Sequence, residues 1–267
     1  MKEKYKHIKL IIGCAILFII TLICFFPKLL TSIQPDEFFD EVLMLPTKEH
    51  ILGTDGLGRD LFSLLLYSTK STLLSGFAIA FFSGIIGILI GSIAAIGGKF
   101  VDNFLVEMIS VFSIIPSVFF IIILSASFKL TFFSFVLVSS LSFWTGTARI
   151  VRSQVKKTLQ QPFVKELIRI GVPKPRVLVW HILPNSIQPV LSNIALSVAN
   201  ACMLEAGLSF VNVKGTEYSL GTILSHGQRY IMTNWRITAA PIATILIICL
   251  SFLLIADAVN TKREFYE

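Results

Sequence analysis

Residues Thr72–Ile96 read TLLSGFAIAFFSGIIGILIGSIAAI, 25 residues without one charged side chain. A helix needs about 20 mostly apolar residues to cross roughly 30 Å of bilayer hydrocarbon, so this run spans with length to spare. Its apolar character is continuous, without the alternation of a membrane barrel strand. Five further runs qualify or come close: Ile8–Phe26, Phe104–Ser125, Phe132–Ala148, Ile187–Leu204 and Ile237–Val259. The fourth of the six runs is the shortest, and the fifth holds Pro189 near its start. The fold class is therefore an all-α integral membrane protein with about six transmembrane helices.

Composition agrees. Of 267 residues, 54% are apolar and only 15% charged, with a mean hydropathy of +0.80. Soluble domains carry about 25% charged residues, so a water-soluble enzyme and a disordered chain are both excluded. Cys14, Cys24, Cys202 and Cys249 lie singly in apolar runs without C-x-x-C spacing, and read as small apolar fillers. His7, His50, His181 and His226 are scattered, with no H-E-x-x-H helix. No metal or cofactor site is expected. Lys2, Lys4, Lys6 and Lys9 precede the first run as in a signal peptide, but that run is longer than a signal core and no small-x-small site follows. Ile11-Ile12-Gly13-Cys14 resembles a lipoprotein box only superficially, since the long apolar run follows the cysteine. A retained helix over about residues 1–30 is expected.

Orientation follows the cations. With the N-terminus inside, 15 of the 23 Lys and Arg fall in inner segments and eight in outer ones. Eight of the inner ones lie between Arg149 and Arg176, and cytoplasmic loops are the ones enriched in Lys and Arg. Asp36, Glu37, Asp40, Glu41, Glu49, Asp55 and Asp60 crowd the first outer loop. Both ends are thus expected in the cytoplasm, and the net charge of +7 reflects membrane orientation rather than a nucleic-acid partner. The predicted division is an extracytoplasmic loop over 31–70, a five-helix core over 71–259 with a cytoplasmic loop at 149–186, and a cytoplasmic tail at 260–267.

That cytoplasmic loop is the most informative stretch. Pro162 suits a first helical position and Gly171 the residue just past a helix end, while Pro173 and Pro175 forbid continuation. Between them Phe163, Val164, Leu167, Ile168 and Ile170 are predicted on one face, with Lys165, Glu166 and Arg169 on the other. Two turns are too short to be stable alone in water. The helix must pack on its own protein, on anionic lipid or on a partner.

Here a resemblance becomes specific. Gly171, followed by His181-Ile-Leu-Pro184-Asn185, resembles the "EAA loop" of ABC importer permeases, which ends G…HILPN. His50-Ile-Leu-Gly53-Thr54-Asp55-Gly-Leu-Gly58-Arg59-Asp60 is similar to the H-P-L-G-T-D-x-L-G-R-D signature of the C-type permeases of dipeptide, oligopeptide and nickel importers. Glu205-Ala-Gly-Leu-Ser-Phe210 resembles that family's E-A-S-L-S-F segment, and Asp257 stands where its last helix carries G-D-G. The motifs come in order from about His50 to Asp257. There are departures: Lys165-Glu166-Leu167 replaces E-A-A, and Val211-Asn212-Val213 replaces G-L-G.

The resemblance implies an ABC type-1 transmembrane domain that imports peptides, nickel or metal chelates. It also implies a second homologous permease, two separate ATPase subunits, an extracytoplasmic binding protein and a bacterial cell membrane. In the family the short inner helix sits in a groove of the ATPase. Phe163, Lys165, Glu166, Leu167, Arg169 and Gly171 take that role by resemblance, with Leu167 as apolar anchor. The chain has no phosphate loop of its own, since Gly97-Gly98-Lys99-Phe100 lacks both the spacing and the hydroxyl. It is accordingly not expected to be an enzyme.

Gly84, Gly87 and Gly91 form a small-residue stripe suited to close helix packing, within the chain or against another subunit. Glu107, Glu205 and Asp257 fall near the predicted interfaces, suited to pairing or to substrate contact. None occupies a helix centre. The alternative, an ion-coupled secondary carrier, usually shows midplane polar sites and an internal repeat. An intramembrane enzyme would need a nucleophile and base placed by motif, and a passive scaffold has no use for the cationic loop.

Overall fold

A computed structural model describes residues 2–127, 131–213 and 215–260. The order is α1 (Lys2–Phe25), α2 (Leu61–Ile96), α3 (Gly98–Ile114), α4 (Ser117–Ser127), α5 (Phe132–Leu159), α6 (Pro162–Arg169), α7 (Lys174–Val177), α8 (Leu183–Phe210), α9 (Leu220–Gly227) and α10 (Arg236–Asn260). One π turn, Leu178–Ile182, joins α7 to α8, and 3-10 turns lie at Pro27–Leu29 and Gln228–Tyr230. No strand occurs among the described residues. Five helical segments, Tyr5–Phe25, α2, α5, Lys174–Phe210 and α10, are long and apolar enough to cross a membrane. The pair α3 and α4 makes a sixth if counted together, although the two are bent by 74°.

That bend breaks the predicted run Phe104–Ser125 into two helices. Pro116 forces Ile115 into an extended conformation (φ −77°, ψ 117°), because the proline ring clashes with a helical residue before it. Other boundaries move too. Asp60 caps α2, so the last ten residues of the predicted 31–70 loop are helical. α5 runs on to Leu159, making the opening of the 149–186 loop a helical extension. α8 encloses Ile187–Leu204 and accommodates Pro189 in its interior. The tail at 261–267 lies outside the described residues.

α2 is the central post. A Cβ added at Gly87 would stand 2.6 Å from the Thr147 Cβ, and one at Gly91 2.5 Å from the Ala148 carbonyl oxygen, both on α5. Gly76 likewise meets the Cys202 sulfur of α8. The glycine stripe therefore serves packing within the chain, where absent side chains let backbones approach. At one end of the bundle Lys9 Nζ donates to Asp257 Oδ2 at 2.6 Å, placing the start of α1 beside the end of α10. Large apolar side chains such as Phe81, Leu89, Ile123 and Leu250 face outward. Such a surface suits lipid or another membrane subunit, not water.

Candidate functional site

The segment after α5 folds back as a platform on the ends of the spanning helices. Val164 of α6 is fully buried among Val151 and Val155 of α5, Val177, the π-turn residues Leu178 and Ile182, and Val190 of α8. Leu167, Ile168 and Val172 pack on the same cluster. α6 ends in a Schellman motif: the Val172 N–H donates to the Leu167 carbonyl at 3.1 Å and the Gly171 N–H to the Ile168 carbonyl at 3.1 Å. This requires φ +90° at Gly171, which has no atom within 4 Å of where a Cβ would stand. The chain itself covers only part of the predicted apolar face, since Phe163 (46%) and Ile170 (70%) are exposed. Leu167, expected as the apolar anchor, is partly buried in the chain's own cluster. Lys165, Glu166 and Arg169 stand outward, and Arg169 Nη1 reaches Glu166 Oε2 at 3.4 Å.

Polar joints tie together the helices that carry the platform. Arg152 of α5 grips Asp102 of α3 through Nε at 2.5 Å and Nη2 at 2.8 Å, and Lys156 bonds the same carboxylate. Thr158 Oγ1 and Ser186 Oγ lie 3.1 Å apart. Before α8, the Leu183 N–H bonds the Leu178 carbonyl, a wider i→i+5 closure. Pro184 then withholds a donor, and Asn185 Nδ2 reaches back to the His181 carbonyl at 2.7 Å.

At the opposite end the first outer loop is locked by its own motif. Asp55 Oδ1 accepts the Leu57 and Arg59 N–H groups at 2.8 and 3.0 Å, and its Oδ2 accepts Arg59 Nε and Nη2 at 2.9 and 2.7 Å. Thr54 Oγ1 accepts the Met44 N–H and donates to the Glu41 carbonyl. Asp60 caps α2 by accepting the Ser63 N–H at 2.7 Å, while its other oxygen meets His50 Nδ1 at 2.9 Å. Gly53 and Gly58 both have φ +80°, and a Cβ there would lie 2.1 Å from the Met44 and 2.2 Å from the Phe39 carbonyl oxygen. Only glycine satisfies both constraints.

Glu205 is not near water, as its predicted place at an interface implied. It is 1% exposed and accepts Thr72 Oγ1 at 2.7 Å and Ser209 Oγ at 2.9 Å. The Leu220 N–H points at the same Thr72 hydroxyl at 3.4 Å, so this carboxylate joins α2, α8 and the start of α9. Asp257 pairs with Lys9, and Glu107 is exposed on α3. Near Glu205 a cavity of about 410 Å³ opens between the two outer loops, lined by Asp55, Gly56, Asn212, Ser225, Arg229 and Tyr230 among others. The Tyr230 ring lies where a Gly56 side chain would stand, so Gly56 lets the loops meet.

The profile of the family described as binding-protein-dependent transport system inner membrane component matches residues 87–264. The chain belongs to this family. Among relatives, a putative peptide transport system permease protein of Brucella abortus is 30% identical over 96% of this chain and 87% of its own length. The probable D,D-dipeptide transport system permease protein DdpC of Escherichia coli is 27% identical, covering 82% of this chain and 74% of the relative. These matches place it among the permeases of peptide ABC importers. An inward-facing structure of the MetNI methionine ABC transporter shares the fold at TM-score 0.60 and 16% identity, covering 73% of this chain and 93% of that one. As a family of multi-pass inner-membrane components, it also fixes the membrane location.

Within this permease, several architectural residues escaped the sequence reading. Asp102 is 50 residues from Arg152 in the chain, and no local pattern joins them. Thr72 looks like any residue at the head of an apolar run, yet it satisfies Glu205. Gly221 is a further case. A Cβ there would stand 1.9 Å from the Ala206 carbonyl oxygen, so the missing side chain lets α9 approach α8 this closely. The one available signal was its place beside Ser219, which caps α9 by accepting the Gly221 N–H.

Proposed function

We propose that this permease imports peptides together with a second permease subunit, two ATPase subunits that hydrolyse ATP, and an extracytoplasmic binding protein. The observation that carries the reading is α6, whose buried Val164 seats it on both α5 and α8 while Phe163, Lys165, Glu166, Arg169 and Ile170 face away from the bundle. A motor gripping those outward groups moves two spanning helices through one rigid platform. Phe163 and Ile170 supply apolar contact, Lys165, Glu166 and Arg169 supply charge, and Leu167 transmits force inward. The platform faces the cytoplasm, as the cation count requires, and both described chain ends lie there too.

At the opposite face, the locked motif from Gly53 to Asp60 offers the binding protein a surface that needs no ordering on docking. Peptide cargo is favoured over nickel or a metal chelate by the names of the relatives. Gly171→Val tests the coupling role. Its Cβ meets no neighbour, so the whole penalty is the left-handed backbone. Labelled-dipeptide uptake should fall at least tenfold with membrane level unchanged, and Gly171→Asn should keep most of it. Normal uptake by the valine variant would sink the coupling assignment, and nickel uptake without dipeptide uptake would sink the cargo.

A further inference from the structure

A second cavity, of about 360 Å³, lies where α1 gives way to the first outer loop, lined by Phe25, Phe26, Pro27, Leu29 and Tyr67 with Lys28 and Lys70. We propose that it binds one anionic phospholipid, with its headgroup phosphate between the two ammonium groups and an acyl chain along the aromatic wall.

The height of the cavity is right. α1 ends at Phe25, and on α2 the uncharged run begins just beyond Lys70. At 36 residues α2 is about 54 Å long, some 24 Å more than the hydrocarbon it must cross. Its first turns therefore stand clear of the acyl region, and Lys70 sits at headgroup level.

The charge is right as well. The lining holds two cations and no carboxylate, and neither lysine is in an ion pair among the described residues. Lys70 is half-buried with its Nζ 5.2 Å from the Phe25 ring centroid, which orients the ammonium without neutralising it. Four acids of the loop are engaged elsewhere, Asp55 on Arg59, Asp60 on His50, Asp36 accepting the Tyr218 hydroxyl and Glu37 accepting the Gln34 N–H, and no acid lines the cavity. Two lysines on the outer side run against the orientation rule, and a bound anion accounts for them. Tyr67, its hydroxyl 3.4 Å from Gln34 Oε1, gives the wall the amphipathic edge of an interfacial aromatic.

The test is native mass spectrometry of the purified full chain, delipidated and titrated with phosphatidylglycerol or phosphatidylcholine. One tightly held phosphatidylglycerol is expected, with affinity falling about 30-fold in Lys28→Gln/Lys70→Gln. The Lys28→Arg/Lys70→Arg variant should retain it, which separates loss of charge from loss of fold. Equal retention in the glutamine variant, equal binding of phosphatidylcholine, or displacement by millimolar inorganic phosphate would each overturn the proposal.

Discussion

Asp60 shows how much one side chain can hold. One carboxylate oxygen caps the start of α2 by taking the Ser63 N–H, and the other meets a buried histidine ring. Asp60→Ala removes a helix cap, a loss of about 0.5–2 kcal/mol, and strands the His50 nitrogen, at about 1–3 kcal/mol. Because the two effects share one site they will not simply add. The expected result is a clear drop in thermal unfolding temperature in detergent, with Asp60→Asn in between. Glu205 is the parallel case inside the bundle. Glu205→Leu leaves the Thr72 and Ser209 hydroxyls without their acceptor and should destabilise strongly. Glu205→Gln keeps an acceptor oxygen and should lie closer to the native protein by the same measurement. Equal losses for leucine and glutamine would mean that charge rather than hydrogen bonding matters there.

At the scale of elements, the α2 glycines separate into tight and loose positions. Gly87 and Gly91 have no room before α5, whereas a Cβ on Gly84 meets Ile194 at an ordinary 3.5 Å. Gly84→Ala should therefore be neutral or slightly stabilising, helped by the helix preference of alanine. Gly91→Ala should force α2 and α5 apart, and overpacking of that kind costs about 1–3 kcal/mol. Unfolding of the purified variants decides it, and indifference to Gly91→Ala would show the contact to be soft. The sequence announced this stripe, the spanning runs, α6 and the left-handed turn at Gly171, because each is a local pattern of period or residue type. It did not announce the Pro116 bend as a break, the burial of Glu205 or the Asp102–Arg152 grip. Those depend on which helices become neighbours, and no spacing along one chain encodes that. The exposure of Phe163 and Ile170 has the same root: a helical wheel gives the apolar arc, but only the neighbouring helices decide how much of it is covered.

For the whole molecule, the claim with most consequence is that its two ends face different compartments with different partners. Lys9 against Asp257 puts the start and finish of the described chain at one end. The Val164 platform and its cations are assigned to that same side, and the acidic locked loop to the other. Single cysteines introduced after Cys14, Cys24, Cys202 and Cys249 are changed to alanine read this directly. Ile170→Cys places a thiol on the exposed rim of α6, Val164→Cys places one in its buried seat, and Glu49→Cys places one on the acidic loop. In right-side-out vesicles an impermeant thiol reagent should label Glu49→Cys and spare Ile170→Cys until the membrane is opened. Short bifunctional cross-linkers should then join Ile170→Cys, but not Val164→Cys, to an ATPase subunit supplied on the inner side. Labelling of Ile170→Cys from outside would invert the topology. Cross-linking through the buried Val164 position instead of Ile170 would mean that α6 leaves its seat when the motor engages, so that force reaches α5 and α8 by a different route.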